Sequence, residues 1–484
     1  MNPNDAPLHV RRANQGDVVS SGGIDLTFKT QYAQSRDQVF VARAVREGRL
    51  DALAGLVRDN IEQWVTAINA DFGHRSSHES RLLEVFPSLE AIKHARRHVG
   101  AWMRPVSRPA SFWFRPGRAR IIPQPLGVVG IIVPWNYPLL LAVSPLVAAL
   151  AAGNRAMVKM SEFTPHTGRL LADLVPRYFP DGEVTVVLGD AAVGAAFGKL
   201  PFDHLLFTGS TAVGHHIMRM AADNLTPVTL ELGGKSPAIV GPEYSLRKAA
   251  ERIMVGKLLN AGQTCIAPDY VMVPAGQEDA FVAAARDVVA SLYPDMAHTP
   301  DYTSVVNERH YSRLMSYLSD AEAQGARCVP LTPVAADALT RRMPPVVLLN
   351  VSDAMRVMQD EIFGPLLPVV PYSTLDEALS YVNSHPRPLA LYVFEDDKHR
   401  LEQVLQGTVA GGVTVNDTIL HIAQEELPFG GVGPSGMGHY HGYEGFKTFS
   451  KQKAVFLQSR FNGMSLFNAP YGKLFDRMTK FLLR

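Results

Sequence analysis

The sequence predicts an α/β fold made of two doubly wound domains, and three observations carry that reading. Strand-length apolar runs alternate with helix-length amphipathic stretches between residues 127 and 232. A second alternation of the same kind occupies residues 246–406. Glycine turns such as Gly209 and Gly233-Gly234 stand where strands end, the usual place for ligands in open α/β sheets.

In chain order, about the first 30 residues are polar, with Ser20-Ser21-Gly22-Gly23 as a flexible stretch, and read as a surface arm. Residues 34–103 read as helical. Ala42, Val45, Leu50, Leu53, Leu56 and Val57 recur at helical spacing, as do Leu82, Leu83, Val85, Leu89, Ile92 and Val99. Arg104-Pro105 opens a Pro/Arg-rich connection through Pro116-Gly117. Strands follow at 127–133, 156–160, 184–188, 204–207 and 228–232, separated by helices at 139–152, 167–177, 191–199 and 213–224. This is a parallel sheet with right-handed crossovers. The second series has a helix at 246–260, a strand at Tyr270–Pro274, and a helix near 277–292. Strands near 345–349 and 367–371 come next, then helices at 376–383 and 398–406 flanking a strand at Ala390–Phe394. Beyond Gly411-Gly412 the chain is Gly-rich and loop-like, and residues 474–484 form a short amphipathic tail.

Composition narrows the function. At 484 residues, 46% hydrophobic and 19% charged, the chain can bury large cores in two to four domains. A balance of 47 Lys+Arg against 46 Asp+Glu argues against nucleic acid as the main partner. Two Cys exclude a disulfide framework. The most apolar stretch, 126–152, is broken by Pro134, Asn136, Pro138 and Pro145, and falls short of the ~20 residues a membrane span needs. The start lacks a basic segment followed by an apolar core, so the expected location is cytoplasmic.

Five motifs can carry chemistry. Cys265, in Gly262-Gln263-Thr264-Cys265, follows a helix and a Gly turn and is a strong nucleophile if donors or a helix N-terminus depress its thiol; alone it reads more readily as a small core residue. Glu231 closes an apolar strand before Gly233-Gly234, a place for a general base or a Lys-paired carboxylate. Gly209-Ser210 opens a helix after a strand and offers backbone N–H groups to a phosphate, although it is neither a Walker loop nor G-x-G-x-x-G. Asn136 lies between Pro134-Trp135 and Pro138, where a stiff loop can aim an amide at an oxyanion. Lys159 and Glu162 follow the second strand, and Glu361 sits two residues before Phe363 in a Gly-Pro loop. No metal is expected. His94 and His98 have i,i+4 spacing, but Lys93, Arg96 and Arg97 crowd them, and His439-Tyr440-His441 reads as a loop.

Together these motifs resemble the aldehyde dehydrogenase superfamily over residues 35–456: PWNYP, FTGSTAVG, LELGGKSP, GQTC, EIFGP and PFGGVGPSGMG occur in that order. The Gly-rich end and the tail resemble the class 3 branch, and within it the bacterial coniferyl aldehyde dehydrogenases. Met160 departs from the Pro that many relatives carry there. The resemblance implies an NAD(P)-binding Rossmann-like domain (1–107 and 126–231), a catalytic domain (232–410), an oligomerisation and bridging region (108–125 and 411–456) and a C-terminal tail (457–484). Its arm would be a β-hairpin near 118–125 with a partner strand near 448–455, in a homodimer or alternatively a tetramer.

The implied reaction is NAD-dependent oxidation of an aldehyde, with NADP as second cofactor. Cys265 attacks, Asn136 and the Cys265 N–H hold the oxyanion, and Glu231 activates the water that hydrolyses the thioester. Lys159 and Glu162 would bind the adenosine ribose, Gly209 and Ser210 the pyrophosphate, and Glu361 and Phe363 the nicotinamide ribose. Ile132, Pro134, Trp135, Leu232 and Gly233 would complete the cofactor site. The substrate implied is an aromatic aldehyde such as coniferaldehyde, with Trp102, Trp113, Tyr137 and Phe429 as tunnel or core residues. A fatty or medium-chain aldehyde, a CoA-acylating reaction and a non-catalytic binding protein are the alternatives.

Overall fold

A computed structural model describes residues 21–483 and contains three β-sheets. The first has six strands in the order Gly436–Met437, Val228–Glu231, His204–Thr208, Val128–Ile132, Arg155–Lys159, Val184–Val187. All five longer strands are parallel, and Gly436–Met437 adds an antiparallel edge. Their apolar runs are explained by helices on both faces, which leave no wet side. The chain builds outward from Val128–Ile132 in one direction, then returns to lay His204–Thr208 on its other side. The sheet's switch point therefore lies between these two strands, and ligand crevices form there.

Helix Leu140–Ala152 is apolar all round and buried along nearly its whole length. Gly153 ends it in a left-handed conformation at φ 91°. Asn154 then accepts from Leu126 N at 2.7 Å and Gly127 N at 2.9 Å, and donates to the Phe449 carbonyl at 2.8 Å. One buried amide thus ties the first strand to the C-terminal segment.

The second sheet has seven strands: Arg327–Pro330, Val346–Leu349, Leu366–Tyr372, Tyr270–Pro274, Pro237–Val240, Ala390–Phe394 and Gly412–Val415. Only Arg327–Pro330 is antiparallel. The third sheet is antiparallel and joins Val106–Arg108, Arg118–Pro125 and Ser450–Leu457.

Several expectations change. The N-terminal arm, where it is described, is instead the helix Ser21–Asp37; the arm's residues 1–20, like Arg484 of the tail, lie outside the described residues. Ile24, Phe28 and Gln31 of that helix are buried, and Gln31 donates to the Gly182 carbonyl and to Thr185 Oγ1, both at 2.9 Å. Its polar composition hides three well-spaced anchors. Leu82 and Val45 are exposed. A π-helical turn at Arg81–Val85 inserts an extra residue, which rotates Leu82 off the core stripe while Val85 stays on it.

Beyond residue 410 the chain enters more than one sheet. Gly412–Val415 pairs in register with Ala390–Phe394 in the seven-stranded sheet, and Gly436–Met437 pairs in the six-stranded one. Residues 411–456 thus serve all three sheets. Among the described residues, no helix is long and apolar enough to cross a membrane.

Candidate active site

A cleft of about 850 Å³ opens at the switch point of the six-stranded sheet and runs towards the second sheet. Its wall includes Pro134, Trp135 and Asn136, which follow Val128–Ile132, and Gly209 and Ser210, which follow His204–Thr208. Glu231, Leu232 and Gly233 enter from the next strand, Cys265 from a buried turn, and Glu361 and Phe363 from a loop of the second domain. Eleven of the expected site residues thus border one space.

Asn136 is buried and doubly anchored through its backbone. Its carbonyl accepts Arg75 Nη1 at 2.9 Å and Asn260 Nδ2 at 3.0 Å. Its side-chain Nδ2 donates to the Gln263 carbonyl at 3.2 Å. Arg75 in turn pairs with Glu84 at 2.7 Å, both shielded from water. Glu84 accepts the N–H groups of Leu139 (2.7 Å) and Leu140 (3.3 Å), at the start of helix Leu140–Ala152. A buried ion pair therefore holds the loop that carries the amide.

The Cys265 turn is shaped by unusual backbone. Asn260 and Ala261 are both left-handed at φ 52°, and Gly262 has φ 77°. Glu79 secures it by accepting Asn260 N–H on both oxygens at 3.1 Å. Gln263 crosses to Ser304 O at 3.1 Å and Val306 N at 2.9 Å. A side chain at position 262 would approach the Gly364 carbonyl to 2.4 Å, so glycine is required there.

Electrostatics run against one expectation. The Cys265 thiol is pushed up to about 12, first by burial and then by the neighbouring Glu361 and Glu231 carboxylates. Backbone N–H donors oppose this without cancelling it. A depressed thiol was the condition for nucleophilic strength in the sequence, and burial acts against it. Burial alone raises Glu231 well above the usual carboxylate range, and neither of its oxygens has a partner. Glu361 is raised to about 8 by burial and then by Asp269, and its Oε1 is likewise unpartnered. Gly233 gives Glu361 room: a Cβ there would lie 2.0 Å from Glu361 Oε2.

Phe363 is left-handed at φ 51° and packs edge-on against Trp135, with ring centres 5.3 Å apart. Ser210 caps helix Thr211–Ala222 by accepting Val213 N–H at 3.4 Å. Ile132, Lys159 and Glu162 do not reach the cleft wall. Lys159 Nζ is spent on the carbonyls of Met160 (2.7 Å) and Gly189 (2.8 Å), and Glu162 lies 4.0 Å from it, exposed at the same end of the sheet.

The wall also holds residues that sequence reasoning missed: Arg309, His310, Arg313, His385 and Arg387. Arg309 and Arg313 stand four apart on helix Glu308–Ala323, a basic helical face that was the available signal. Trp102, Trp113, Tyr137 and Phe429 do not border the cleft. Trp113 is exposed on a surface turn, and Tyr137 meets Thr264 Oγ1 at 2.6 Å.

The site fits a dinucleotide. An unpartnered carboxylate oxygen suits a ribose hydroxyl, and a helix start at Ser210 beside a basic rim suits phosphate.

The model of the aldehyde dehydrogenase family matches residues 34–455. The chain is 57% identical to a probable coniferyl aldehyde dehydrogenase of Pseudomonas aeruginosa, over 89% of this chain and 90% of that one. It is 50% identical to the coniferyl aldehyde dehydrogenase of a Pseudomonas species, over 91% and 92%. The substrate-bound structure of Staphylococcus aureus AldH superimposes with a TM-score of 0.90 at 35% identity, covering 95% of this chain and 99% of that one. A Mycobacterium tuberculosis aldehyde dehydrogenase complexed with NAD+ gives 0.83 at 28% identity, covering 92% of each chain.

Proposed function

The chain belongs to the aldehyde dehydrogenase family and oxidises aldehydes to acids with NAD, and we propose that Cys265, Glu231 and Asn136 carry this reaction on an aromatic aldehyde of the coniferaldehyde type. The observation that carries the assignment is the convergence of these three side chains on one cleft at the sheet's switch point.

The Cys265 thiol first gives its proton to water; the thiolate Sγ then forms a C–S bond to the aldehyde carbon, and the carbonyl π pair moves to oxygen. The Asn136 amide and the Cys265 N–H donate to that oxygen; one such donor is worth ~3 kcal/mol of barrier. Bound NAD supplies the hydride acceptor. Glu231, with no partner of its own and a raised proton affinity, takes a proton from the water that attacks the thioester. The C–S bond then breaks, releasing the acid and the cysteine.

Glu361 and Phe363 are assigned to the nicotinamide ribose, Gly209 and Ser210 to the pyrophosphate, and Ile132, Pro134, Trp135, Leu232 and Gly233 to the remaining cofactor surface. Glu162 at the strand end opposes a 2′-phosphate by charge, which supports NAD over NADP. The same proposal places Lys159 near the adenosine end. The aromatic substrate rests on the relatives at 50 and 57% identity.

A homodimer is supported by the outer strand Ser450–Leu457, whose Phe456 and Leu457 are exposed; light scattering separates dimer from tetramer. A cytoplasmic setting is supported by two unbridged cysteines. The deciding assay follows NADH formation with coniferaldehyde, benzaldehyde and straight-chain aldehydes. The highest kcat/KM on coniferaldehyde is expected; a clear preference for long straight chains overturns the substrate assignment.

A further inference from the structure

His94 and His98, poor metal ligands on sequence alone, acquire a third partner from 328 residues beyond His98. His94 and His98 lie one turn apart on helix Phe86–Trp102, with ring centres 4.3 Å apart. Glu426, on the loop after Leu420–Ala423, brings Oε1 to 3.3 Å from His94 Nε2. One ligand atom from each of the three residues lies within 4.8 Å of the others.

We propose that His94, His98 and Glu426 form a binding site for one Zn2+ ion per chain, outside the active-site cleft.

The donor chemistry fits. Two imidazoles and a carboxylate leave a fourth position for water. Ligand atoms about 2.0–2.1 Å from a tetrahedral ion lie about 3.3 Å apart, which is the His94–Glu426 separation. His98 Nδ1 lies 2.8 Å from the His94 carbonyl and can donate to it, which leaves Nε2 as the lone-pair donor. This supporting bond to a backbone carbonyl is typical of zinc-binding histidines. His94 Nε2 is buried with no hydrogen-bond partner, so a ligand-ready atom stands unused beside the carboxylate. Trp102 stacks on His98 at 5.9 Å and restrains its ring, while the exposed Glu426 side chain is free to close the remaining distance.

The cations that argued against a metal are mostly engaged elsewhere. Lys93 pairs with Glu90 at 2.7 Å, and Arg96 with Glu47 and Asp51 at 2.9 Å each. Of the nearby cations only Arg97 acts repulsively on His94, as its companion His98 also does, and Glu426 opposes both. The loop from Glu426 leads to Gly430, where a Cβ would lie 3.1 Å from Glu231 Oε1. An ion would therefore pin the loop behind the general base to helix Phe86–Trp102.

The test uses full-length protein carrying Cys265→Ala, so that the active-site thiol takes no metal. Calorimetric titration with Zn2+ should give one ion per chain, and Co2+ should give the visible absorption of a tetrahedral site. His98→Ala should weaken Zn2+ by at least ~10–100-fold, the loss typical even of a supporting group. Glu426→Gln, at an exposed position, should do the same and should abolish the Zn2+-induced rise in Tm. Zn2+ binding that survives both substitutions unchanged, or no stoichiometric binding by the parent protein, overturns the proposal.

Discussion

Arg75 Nη1 donates to the carbonyl of Asn136 at 2.9 Å from a position with no contact with water. The guanidinium also meets Glu84 at 2.7 Å and lies over the rings of Phe72 and Tyr137, at 4.8 and 4.9 Å. The active-site loop is thus fixed from behind by a charge pair that never faces the substrate. Removing one partner strands the other in a dry interior. Arg75→Met is expected to destabilise the fold by ~3–5 kcal/mol, read by urea unfolding. A loss below the error of that measurement contradicts the role given to the pair.

Asn136→Ala separates position from chemistry. Both anchoring bonds reach its backbone carbonyl, which the substitution keeps. Stability should change little, while kcat falls ~10²–10³-fold through loss of one oxyanion donor. Steady-state kinetics beside a melting curve checks both halves.

The raised thiol predicts a pH dependence. Only the thiolate alkylates, and its fraction grows about tenfold per pH unit below the pKa. In cofactor-free enzyme, inactivation by iodoacetamide should therefore climb steadily to pH 10 without levelling, given a Cys265 thiol near 12. A plateau by pH 8 contradicts the burial argument.

Gly233→Ala should displace Glu361, since the added methyl would lie 2.0 Å from its Oε2. The expected result is a rise of roughly tenfold or more in KM for NAD, a loss of about 1.4 kcal/mol. KM for the aldehyde should move less. Equal rises in both would place the effect elsewhere.

How far the sequence could be read depended on sequence distance and on composition. The parallel strands were legible because burial on both faces makes them unbroken apolar runs, as in Val128–Ile132. Pro237–Val240 was hidden by its short run after Lys235-Ser236, and helix Ser21–Asp37 by its polar majority. The proposed catalytic residues Cys265, Glu231 and Asn136 stand in motifs visible in the sequence, and the fold brings them to one cleft. Arg75, Glu79 and Glu84 were not, because their partners Asn136, Asn260 and Leu139 lie 55 to 181 residues away. The direction of the Cys265 shift was not legible for a related reason: burial and the neighbouring carboxylates exist only in the folded chain.

The central claim is that Cys265 carries the acyl group and Glu231 brings the water that removes it. Glu231→Gln protein mixed with NAD and coniferaldehyde, then examined as intact protein by mass spectrometry, tests it most directly. The account predicts one burst of NADH per active site and the acyl mass retained on Cys265. Sustained turnover at the parent rate, with no adduct on that cysteine, would contradict it.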